Sequence, residues 1–241
     1  MSTFRFKKFN VVNERSAMKV NTDGVLLGAL MTILPEDRRL LDVGTGTGTI
    51  ALMAAQRLND LSAGEFQVDA IDIDEDSADE AAANFANSSW ASALKVSHAS
   101  LDDFASSAGE YDLVFSNPPY FEDSLEAPQE RRNHARHTTS GLSYRELLDF
   151  SASRLTPGGR FAIVLPLDQE QPLIRYARMS GLHLFRITRV RTVPRKAPTR
   201  MIAEFSRNRC ENPEDITLTI QSEGKYTQEY LDVMRDFYLF A

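Results

Sequence analysis

The stretch Leu40-Leu-Asp-Val-Gly-Thr-Gly-Thr-Gly48 decides the fold, because it joins a short apolar run to a glycine-rich turn. Residues 49–58, which follow it, are rich in Ala and Leu and have helical spacing. Glycine has no Cβ atom and tolerates positive φ, so such a turn lets the backbone approach a ligand closely. The N-terminus of the next helix adds free N–H groups and a partial positive charge. The stretch therefore predicts a strand, a ligand-binding turn and a helix.

Strand-like and helix-like segments alternate along the rest of the chain. The predicted strands are 40–43, 67–73, 94–98, 111–116, 160–165, 182–191 and 201–206, and the predicted helices are 49–58, 77–86, 144–155 and 168–180. This alternation predicts an α/β fold with a mostly parallel sheet and helices on both faces. Because the last strands follow one another without a helix, one antiparallel strand is expected. No repeat or linker divides the chain, so we expect a single domain over residues 1–241.

Composition narrows the class of protein. The apolar content of 42% and the charged content of 25% are ordinary for a soluble globular protein. No run approaches the roughly 20 apolar residues that a membrane span requires. The single cysteine, Cys210, and four scattered histidines predict neither a disulfide nor a metal site. We therefore expect a cytoplasmic protein without a metal, and the net charge of −7 argues against one that coats nucleic acid indiscriminately.

The tetrapeptide Asn117-Pro-Pro-Tyr120 follows the predicted strand 111–116 directly. The Asn117 side-chain oxygen and the Pro118 carbonyl can accept hydrogen bonds from both hydrogens of an amine. Pro118 and Pro119 fix the backbone in advance, and Tyr120 offers a stacking face for an extruded base. A turn that merely ends a strand is the structural alternative. The combination favours a catalytic site that holds a planar amine while its nitrogen attacks an electrophile.

The glycine spacing Gly44-x-Gly46-x-Gly48 differs from the dinucleotide fingerprint G-x-G-x-x-G. It suits the methyl donor S-adenosylmethionine, which has no pyrophosphate and carries an amino-acid tail, a ribose and an adenine. Asp42, just before the turn, is expected to face the ammonium group of the donor. Asp72, at the end of the second strand, is expected to accept from both ribose hydroxyls, since a carboxylate can accept two donors at once.

Two features leave alternatives open at this point. Lys19 and Thr22 could close over the carboxylate end of the donor, or Thr22 could simply cap a packing helix. An NAD-binding oxidoreductase would explain the glycines and Asp72 but would leave Asn117 without a role. A catalytically silent scaffold that binds the methyl donor is a further alternative, which the intact Asn117 and Tyr120 disfavour.

These motifs resemble the class I methyltransferases that modify amino nitrogens, and more closely the bacterial tRNA(Val) adenine-N6-methyltransferase family. The resemblance rests on Met18-Lys-Val-x-Thr-Asp-Gly-x-Leu-Leu-Gly28, Leu41-Asp-x-Gly-x-Gly-x-Gly48, Ser116-Asn-Pro-Pro-Tyr120, Ala135-Arg-x-Thr138 and Phe237-Tyr-Leu-Phe240. It implies a Rossmann-like, seven-stranded sheet with the last strand antiparallel. It also implies S-adenosyl-L-methionine as donor and, as acceptor, the N6 atom of the adenine beside the anticodon of valine tRNA.

The resemblance also implies roles for particular segments. Residues 1–38 would form an N-terminal segment with a lid helix, and residues 39–241 the catalytic core, with Asn117 contacting both donor and target base. Related enzymes often place an acid near the end of strand three to contact the cofactor adenine, and this chain has Ser100 there. Asp102, Asp103 or a backbone group of Leu101 could take its place.

Basic residues gather in three acid-poor runs, which favours a phosphate-binding rim over a merely solvated surface. The expected RNA contacts are Lys7, Lys8, Arg132, Arg136, His137, Arg195 and Lys196. The first two lie in Phe4-Arg-Phe-Lys-Lys-Phe9, which suits stacking plus phosphate contact, or alternatively an edge strand with two faces.

Other acceptors share the same pocket chemistry. Protein glutamine N5, ribosomal RNA guanine N2 and DNA adenine all remain alternatives to tRNA adenine. The glutamine enzymes place a helical recognition domain before the cofactor turn, whereas only about forty residues precede it here, which disfavours that acceptor.

Overall fold

A computed structural model of the chain describes residues 2–61, 64–119 and 142–241. The helices are α1 (Thr22–Leu30), α2 (Thr49–Asp60), α3 (Glu75–Ala86), α4 (Leu101–Ala105), α5 (Tyr144–Arg154), α6 (Glu170–Met179) and α7 (Gln228–Met234). The strands are β1 (Thr3–Arg5), β2 (Asn10–Val12), β3 (Arg39–Val43), β4 (Gln67–Asp72), β5 (Leu94–His98), β6 (Tyr111–Ser116), β7 (Leu155–Pro166), β8 (His183–Arg191), β9 (Arg200–Ser206), β10 (Glu214–Thr219), β11 (Gln221–Ser222) and β12 (Lys225–Tyr226). In this part of the chain, no helix is both long enough and apolar enough to cross a bilayer.

The central sheet has the strand order β10-β8-β9-β7-β6-β3-β4-β5. Strand β9 runs antiparallel to both of its neighbours, and the other pairings are parallel. The mostly parallel sheet with its antiparallel late strand is therefore confirmed. The sheet has eight strands rather than the seven expected, because β10 adds to the edge beside β8. The polar start of β10, Glu214-Asp215, hides it from a search for continuous apolar runs.

The parallel strands bring their carboxyl ends to one edge of the sheet. Strand β3 pairs with β4 on one side and with β6 on the other, so the order of strands reverses between β3 and β6. In open α/β sheets a crevice forms at such a reversal, outside the carboxyl ends of the strands. The glycine-rich turn after β3 and the Asn-Pro-Pro segment after β6 both lie at this crevice.

Alternate side chains of the central strands supply two apolar cores, one on each face of the sheet. Leu40 and Leu113 belong to the core beneath α1, α2 and α3, and Leu41 and Val114 belong to the core beneath α5 and α6. All four side chains are fully buried. Strands covered on both faces become nearly continuous apolar runs, which is why 40–43 and 111–116 could be recognised from sequence.

The N-terminal segment packs on the first of these faces. Asn84 on α3 holds β2 through two hydrogen bonds, donating to the Val12 carbonyl at 3.0 Å and accepting from the Val12 N–H at 2.8 Å. Helix α1 packs against α2, and a Cβ atom added at Gly28 would lie 2.7 Å from the Met53 sulfur. The small residue therefore lets α1 lie close to α2, with its N-terminus beside the crevice.

Candidate active site

The glycine-rich turn is built from left-handed backbone. Gly44, Gly46 and Gly48 have φ values of 73°, 56° and 78°, which favour glycine strongly. The N–H groups of Gly44 and Thr45 donate to the Ile71 carbonyl at 2.9 and 3.0 Å, so the turn is anchored to β4. The predicted glycine turn between the first strand of the core and its helix is confirmed.

Gly48 has a packing role that the sequence pattern does not show. It stands at the N-cap of α2, and a Cβ atom there would lie 2.5 Å from the Phe85 ring and 3.3 Å from the Ala81 Cβ on α3. It does not line the crevice, whereas Gly44 and Gly46 do. The structure thus gives Gly48 a role in the close packing of α2 on α3, and its contact with the cofactor stays a prediction.

Asp72 lies at the end of β4 and lines the crevice, as expected. One carboxylate oxygen accepts from the Gly46 N–H at 2.8 Å, and the other accepts from the Asp74 N–H at 3.0 Å. Burial raises the pKa of the Asp72 carboxyl above its ordinary value, and the two N–H donors oppose that rise. These bonds fix the carboxylate beside the turn.

Asp42 lies near the end of β3, just before the turn. It is fully buried beneath the turn, and the Thr45 hydroxyl donates to one of its oxygens at 2.7 Å. Among the described residues its other oxygen has no hydrogen-bond partner. Burial raises the pKa of this carboxyl to about 7. Asp42 thus supports the turn through Thr45, and its contact with the ammonium group of the donor stays a prediction.

The crevice has two lobes that share Met18, Gly44, Gly46 and Asn117. The larger lobe encloses about 200 Å³ and the smaller about 30 Å³. The larger lobe is lined by Ser16, Ala17, Met18, Val43, Gly44, Gly46, Ile71, Asp72, Ile73, Asp74, Ser77, Ala99, Asn117, Pro119 and Leu142. The smaller lobe is lined by Met18, Lys19, Val20, Asn21, Gly24, Val25, Gly44, Thr45, Gly46, Thr47, Thr49, Ile50 and Asn117.

Asn117 is buried at the point where the lobes meet. Its amide nitrogen lies 3.5 Å from both the Met18 sulfur and the Asn21 side-chain oxygen. Pro118 behind it is buried, and Pro119 is exposed and lines the larger lobe. Asn117 and Pro119 thus lie at the crevice and Pro118 lines neither lobe, while Tyr120 lies outside the described residues. The catalytic roles of these residues stay a prediction.

The segment before α1 is held over the crevice by a buried carboxylate. Glu80 on α3 accepts from the backbone N–H groups of Glu14 at 2.8 Å and Ser16 at 3.2 Å. Asn21, rather than Thr22, caps α1 by accepting from the Gly24 N–H at 2.9 Å. Thr22 is exposed and does not line either lobe. Lys19 does line the smaller lobe, and its ammonium donates to the Glu14 carbonyl at 2.6 Å.

The segment after β5 contributes a different residue from those expected. Ser100 caps α4, accepting from the Asp103 N–H at 3.1 Å and donating to its carboxylate at 2.7 Å. Leu101 packs against the core of the second face. Neither lines the crevice, whereas Ala99 does, and its N–H donates to the Asp72 carbonyl at 2.9 Å. Ala99 therefore lies at this wall of the crevice, and a contact of Ser100 or Leu101 with the cofactor stays a prediction.

The expected RNA contacts divide by position. Arg195 and Lys196 are exposed in the loop between β8 and β9, at the edge of the sheet that carries the crevice. Lys8 instead pairs with Asp60 at 2.6 Å, at the far end of α2, about 18 Å along that helix from the glycine turn. Lys7 donates to the carbonyls of Arg235 and Ala241 at 2.5 and 2.9 Å. Arg132, Arg136 and His137 lie outside the described residues.

Several lining residues were not singled out from the sequence. Ile73 is 73% exposed although it is large and apolar, and it borders the larger lobe just after Asp72. In the sequence, the one feature that could predict this position is that an apolar residue directly follows Asp72, the acid at the end of β4. Met18 and Asn21 lie in the motif of residues 18–28, but neither side chain belongs to a pattern that predicts contact with a ligand. In the described ranges, no three His, Cys, Asp or Glu side chains are grouped to hold a metal ion.

Comparison with known proteins shows the family of the chain. The family described as "Methyltransferase small domain" matches residues 16–178. The tRNA1(Val) (adenine(37)-N6)-methyltransferase of Parabacteroides distasonis is 43% identical, over 98% of this chain and 97% of the relative. The enzyme of the same name from Flavobacterium psychrophilum is 37% identical, over 98% of this chain and 99% of the relative.

Solved structures support the fold. A protein of Agrobacterium tumefaciens described as a predicted O-methyltransferase superimposes with a TM-score of 0.65 at 16% identity, covering 89% of this chain and 96% of that one. Precorrin-6y C5,15-methyltransferase of Geobacter metallireducens superimposes with a TM-score of 0.55 at 14% identity, covering 82% and 93%. At such identities these likenesses concern the fold alone.

The sheet order, the glycine turn and the family match together define a class I methyltransferase that depends on S-adenosyl-L-methionine. The relatives at about 40% identity extend over nearly the whole chain. Within that class, the chain belongs to the tRNA1(Val) (adenine(37)-N6)-methyltransferase family.

Proposed function

We propose that this protein transfers a methyl group from S-adenosyl-L-methionine to the N6 atom of adenine 37 in valine tRNA. The observation that carries the proposal is the position of Asn117 at the end of β6, where both lobes of the crevice meet. The two lobes together can hold the donor, and Asn117 at their junction can meet the acceptor. The names of the family members supply the particular nucleotide.

The amine of adenine is a poor nucleophile, because its lone pair is delocalised into the ring. The Asn117 side-chain oxygen and the Pro118 carbonyl would accept its two hydrogens and draw the nitrogen toward tetrahedral geometry. Because the Asn117 amide nitrogen faces Asn21 and Met18, the amide oxygen points the other way. The two prolines hold both acceptors in position before the base arrives.

The crevice fits the cofactor chemically. Asp72 would accept from the ribose hydroxyls, and the backbone at Gly44 and Gly46 would lie against the amino-acid tail. The exposed apolar side chain of Ile73, together with Ala99, forms a wall that an adenine ring would cover. Lys19, in the smaller lobe, would face the carboxylate end of the tail. When bound, the cofactor supplies a methyl carbon on positively charged sulfur, with a neutral leaving group.

Alignment of the amine is then the main task of the protein, and a strong general base is not required.

We propose that residues 1–38 act as a lid segment, because α1 and the preceding loop line the smaller lobe. We propose residues 39–241 as the catalytic core. Arg195 and Lys196 would contact tRNA phosphates at the same edge of the sheet, in the cytoplasm where tRNA is found.

The decisive experiment is a methyl-transfer assay on two transcripts of valine tRNA, one wild type and one with adenine 37 replaced by guanine. Radiolabelled S-adenosyl-L-methionine reports transfer, and mass spectrometry of nuclease fragments locates the methyl group. We expect N6-methyladenine at position 37 of the first transcript and no transfer to the second. Methylation of both transcripts, or of neither, would overturn the proposed acceptor.

A further inference from the structure

A stacked group of aromatic rings is exposed near the hairpin β11–β12. Tyr226 and Phe240 stack with ring centroids 5.1 Å apart and planes 9° apart, and Tyr226 also stacks on Tyr230 at 5.0 Å and 23°. Tyr230 is buried, whereas Tyr226 is 42% exposed and Phe240 is 56% exposed. The rings therefore form a column that starts in the core and ends at the surface. We call Tyr226, Leu239 and Phe240 the aromatic platform.

The hairpin β11–β12, which carries Tyr226 of the platform, lies at the edge of the sheet that carries the crevice. The hairpin follows β10 directly, and it is tied to the end of β8 by two backbone hydrogen bonds. Ile220 N–H donates to the Arg191 carbonyl at 3.0 Å, and Gln221 N–H donates to the Thr192 carbonyl at 2.8 Å. Both strands end at the same edge as β6.

The spacing of neighbouring strands gives the distance across the sheet from β6 to β8 and β10. Strand β8 lies three places from β6 in the sheet, and β10 lies four places away. At roughly 4.8 Å per strand, the ends of β8 and β10 lie about 14–19 Å across the sheet from the end of β6. A strand of nucleic acid stacked at about 3.4 Å per nucleotide covers that distance in about five nucleotides. An RNA whose target adenine occupies the crevice could therefore reach the platform.

Charge around the platform favours nucleic acid. Lys225 is exposed in the hairpin, and Arg195 and Lys196 are exposed in the loop that Thr192 begins. None of these three cations has an ion-pair partner within the described part of the chain. Exposed acids in the same segment are Glu223, at the turn of the hairpin, and Glu229, near the start of α7, which accepts from the Thr219 N–H at 2.8 Å. A face with exposed rings and an excess of cations matches single-stranded RNA, which offers stacking bases and phosphates together.

Folding alone does not account for the exposure of the outer rings. Phe237 and Tyr238 of the same segment are buried in the core of the first face, together with Tyr230. Phe240 lies outside that layer, and Leu239 beside it is 64% exposed. Contiguous exposed apolar side chains with a polar rim mark interaction surfaces.

We propose that the aromatic platform, with Lys225, is a second RNA-contact surface on which an unpaired base of the tRNA stacks against Phe240. This inference rests on the proposed function, because it assigns a further surface to the same tRNA substrate. The platform would bind nucleotides several positions away from the methylated adenine. The platform would hold the loop of the tRNA in a fixed register with respect to the crevice.

The test measures the dissociation constant of an unmodified valine tRNA transcript for the wild type and for variants of the full chain. Phe240→Ala removes the ring, and Phe240→Tyr keeps it. Met179→Ala is the matched control, since Met179 is 76% exposed at the far end of α6. Thermal unfolding and titration with S-adenosylhomocysteine check that each variant is folded and retains its cofactor site. Lys225→Glu tests the cationic part through the salt dependence of binding.

We expect Phe240→Ala to raise the dissociation constant about 5- to 100-fold, the range that stacking of one base supports. Phe240→Tyr and Met179→Ala should bind like the wild type, and Lys225→Glu should lower the salt slope by about one unit. If Phe240→Ala binds tRNA with wild-type affinity, the proposal that the platform contacts RNA is wrong. The proposed function is still supported in that case if the wild type methylates the tRNA.

Two further outcomes are informative. If Phe240→Ala changes the oligomeric state and leaves the affinity for tRNA unchanged, the platform is a contact between copies of the chain, and the RNA proposal is wrong. If the wild type neither binds nor methylates valine tRNA, the proposed function fails first, and the platform proposal fails with it.

Discussion

The side-chain oxygen of Asn21 lies 3.5 Å from the amide nitrogen of Asn117 and at the same time accepts from the Gly24 N–H at 2.9 Å. One atom thus caps helix α1 and faces the residue proposed to hold the target amine. The N-terminal segment and the end of β6 are 96 residues apart in sequence. Their contact makes the orientation of Asn117 depend on a correctly placed α1.

Substitution of Asn21 should separate the two roles of its oxygen. Asn21→Ala loses the cap, which costs about 1 kcal/mol of stability, and also removes one hydrogen-bond partner of the Asn117 amide. Asn21→Ser keeps a capping oxygen on a shorter side chain, so stability should return while methyl transfer stays reduced about tenfold. Thermal unfolding and the kcat for methyl transfer measure the two effects. Full activity in both variants would show that Asn21 does not orient Asn117.

Gly48 in the glycine-rich turn has a control in Gly181, which follows α6. Both have positive φ, 78° and 81°, but a Cβ atom at Gly48 would meet Phe85 at 2.5 Å, and one at Gly181 would have nothing within 4 Å. Gly181→Ala should cost about 1–2 kcal/mol from its backbone alone. Gly48→Ala should cost about 2–5 kcal/mol, because overpacking adds to the same backbone term. Equal losses in urea denaturation would argue against close packing of α2 on α3.

Asp42 should make the stability of the protein depend on pH. Burial raises its pKa from 3.8 to about 7 in the folded protein. Between these values the folded state binds more protons than the unfolded state, so this carboxyl lowers the stability as the pH rises, by up to roughly 1.4 kcal/mol per pH unit. Asp42→Asn removes the dependence and retains an oxygen for Thr45. The free energy of unfolding of the variant relative to wild type should therefore increase from pH 4 to pH 7, apart from a constant offset. Parallel curves would contradict the raised pKa.

Two lysines that look alike in sequence should differ in RNA binding. Lys196 is exposed at the crevice edge, whereas Lys8 pairs with Asp60 at the far end of α2. Lys196→Glu should weaken tRNA binding and reduce the salt slope of the affinity by about one unit. Lys8→Glu should leave both unchanged. Fluorescence anisotropy from low to moderate salt measures the difference. Equal effects of the two substitutions would refute the claim that tRNA contacts the edge of the sheet at the crevice.

The parts of the fold that local sequence encodes were predictable. Strands buried on both faces read as apolar runs, and the turn at Gly44 and Gly46 needs a residue that tolerates positive φ. The Asn-Pro-Pro segment combines two possible acceptors and a rigid backbone within three residues, so the sequence alone predicts a chemical role for it. Strand β10 was missed because an edge strand that begins with two acids has no such signature.

The parts that depend on distant contacts were not predictable. Lys8 meets its carboxylate across 52 residues of sequence, and Gly48 meets Phe85 only once α2 and α3 have packed. Asp42 was assigned to the ligand because an acid before a glycine turn suggests one. Its side chain lies beneath the turn, where Thr45 binds it. Local patterns predict the chemistry, and packing decides which side chains reach the crevice.

The most direct test of the central claim combines Asn117→Ala with two measurements. Calorimetric titration with S-adenosylhomocysteine reports the cofactor site, and transfer of a radiolabelled methyl group to unmodified valine tRNA reports catalysis. Removal of the proposed acceptor should reduce kcat at least about 100-fold, because it holds the amine for attack, while the affinity for S-adenosylhomocysteine stays close to wild type. Methyl transfer at the wild-type rate by Asn117→Ala would contradict the claim that this side chain holds the target amine.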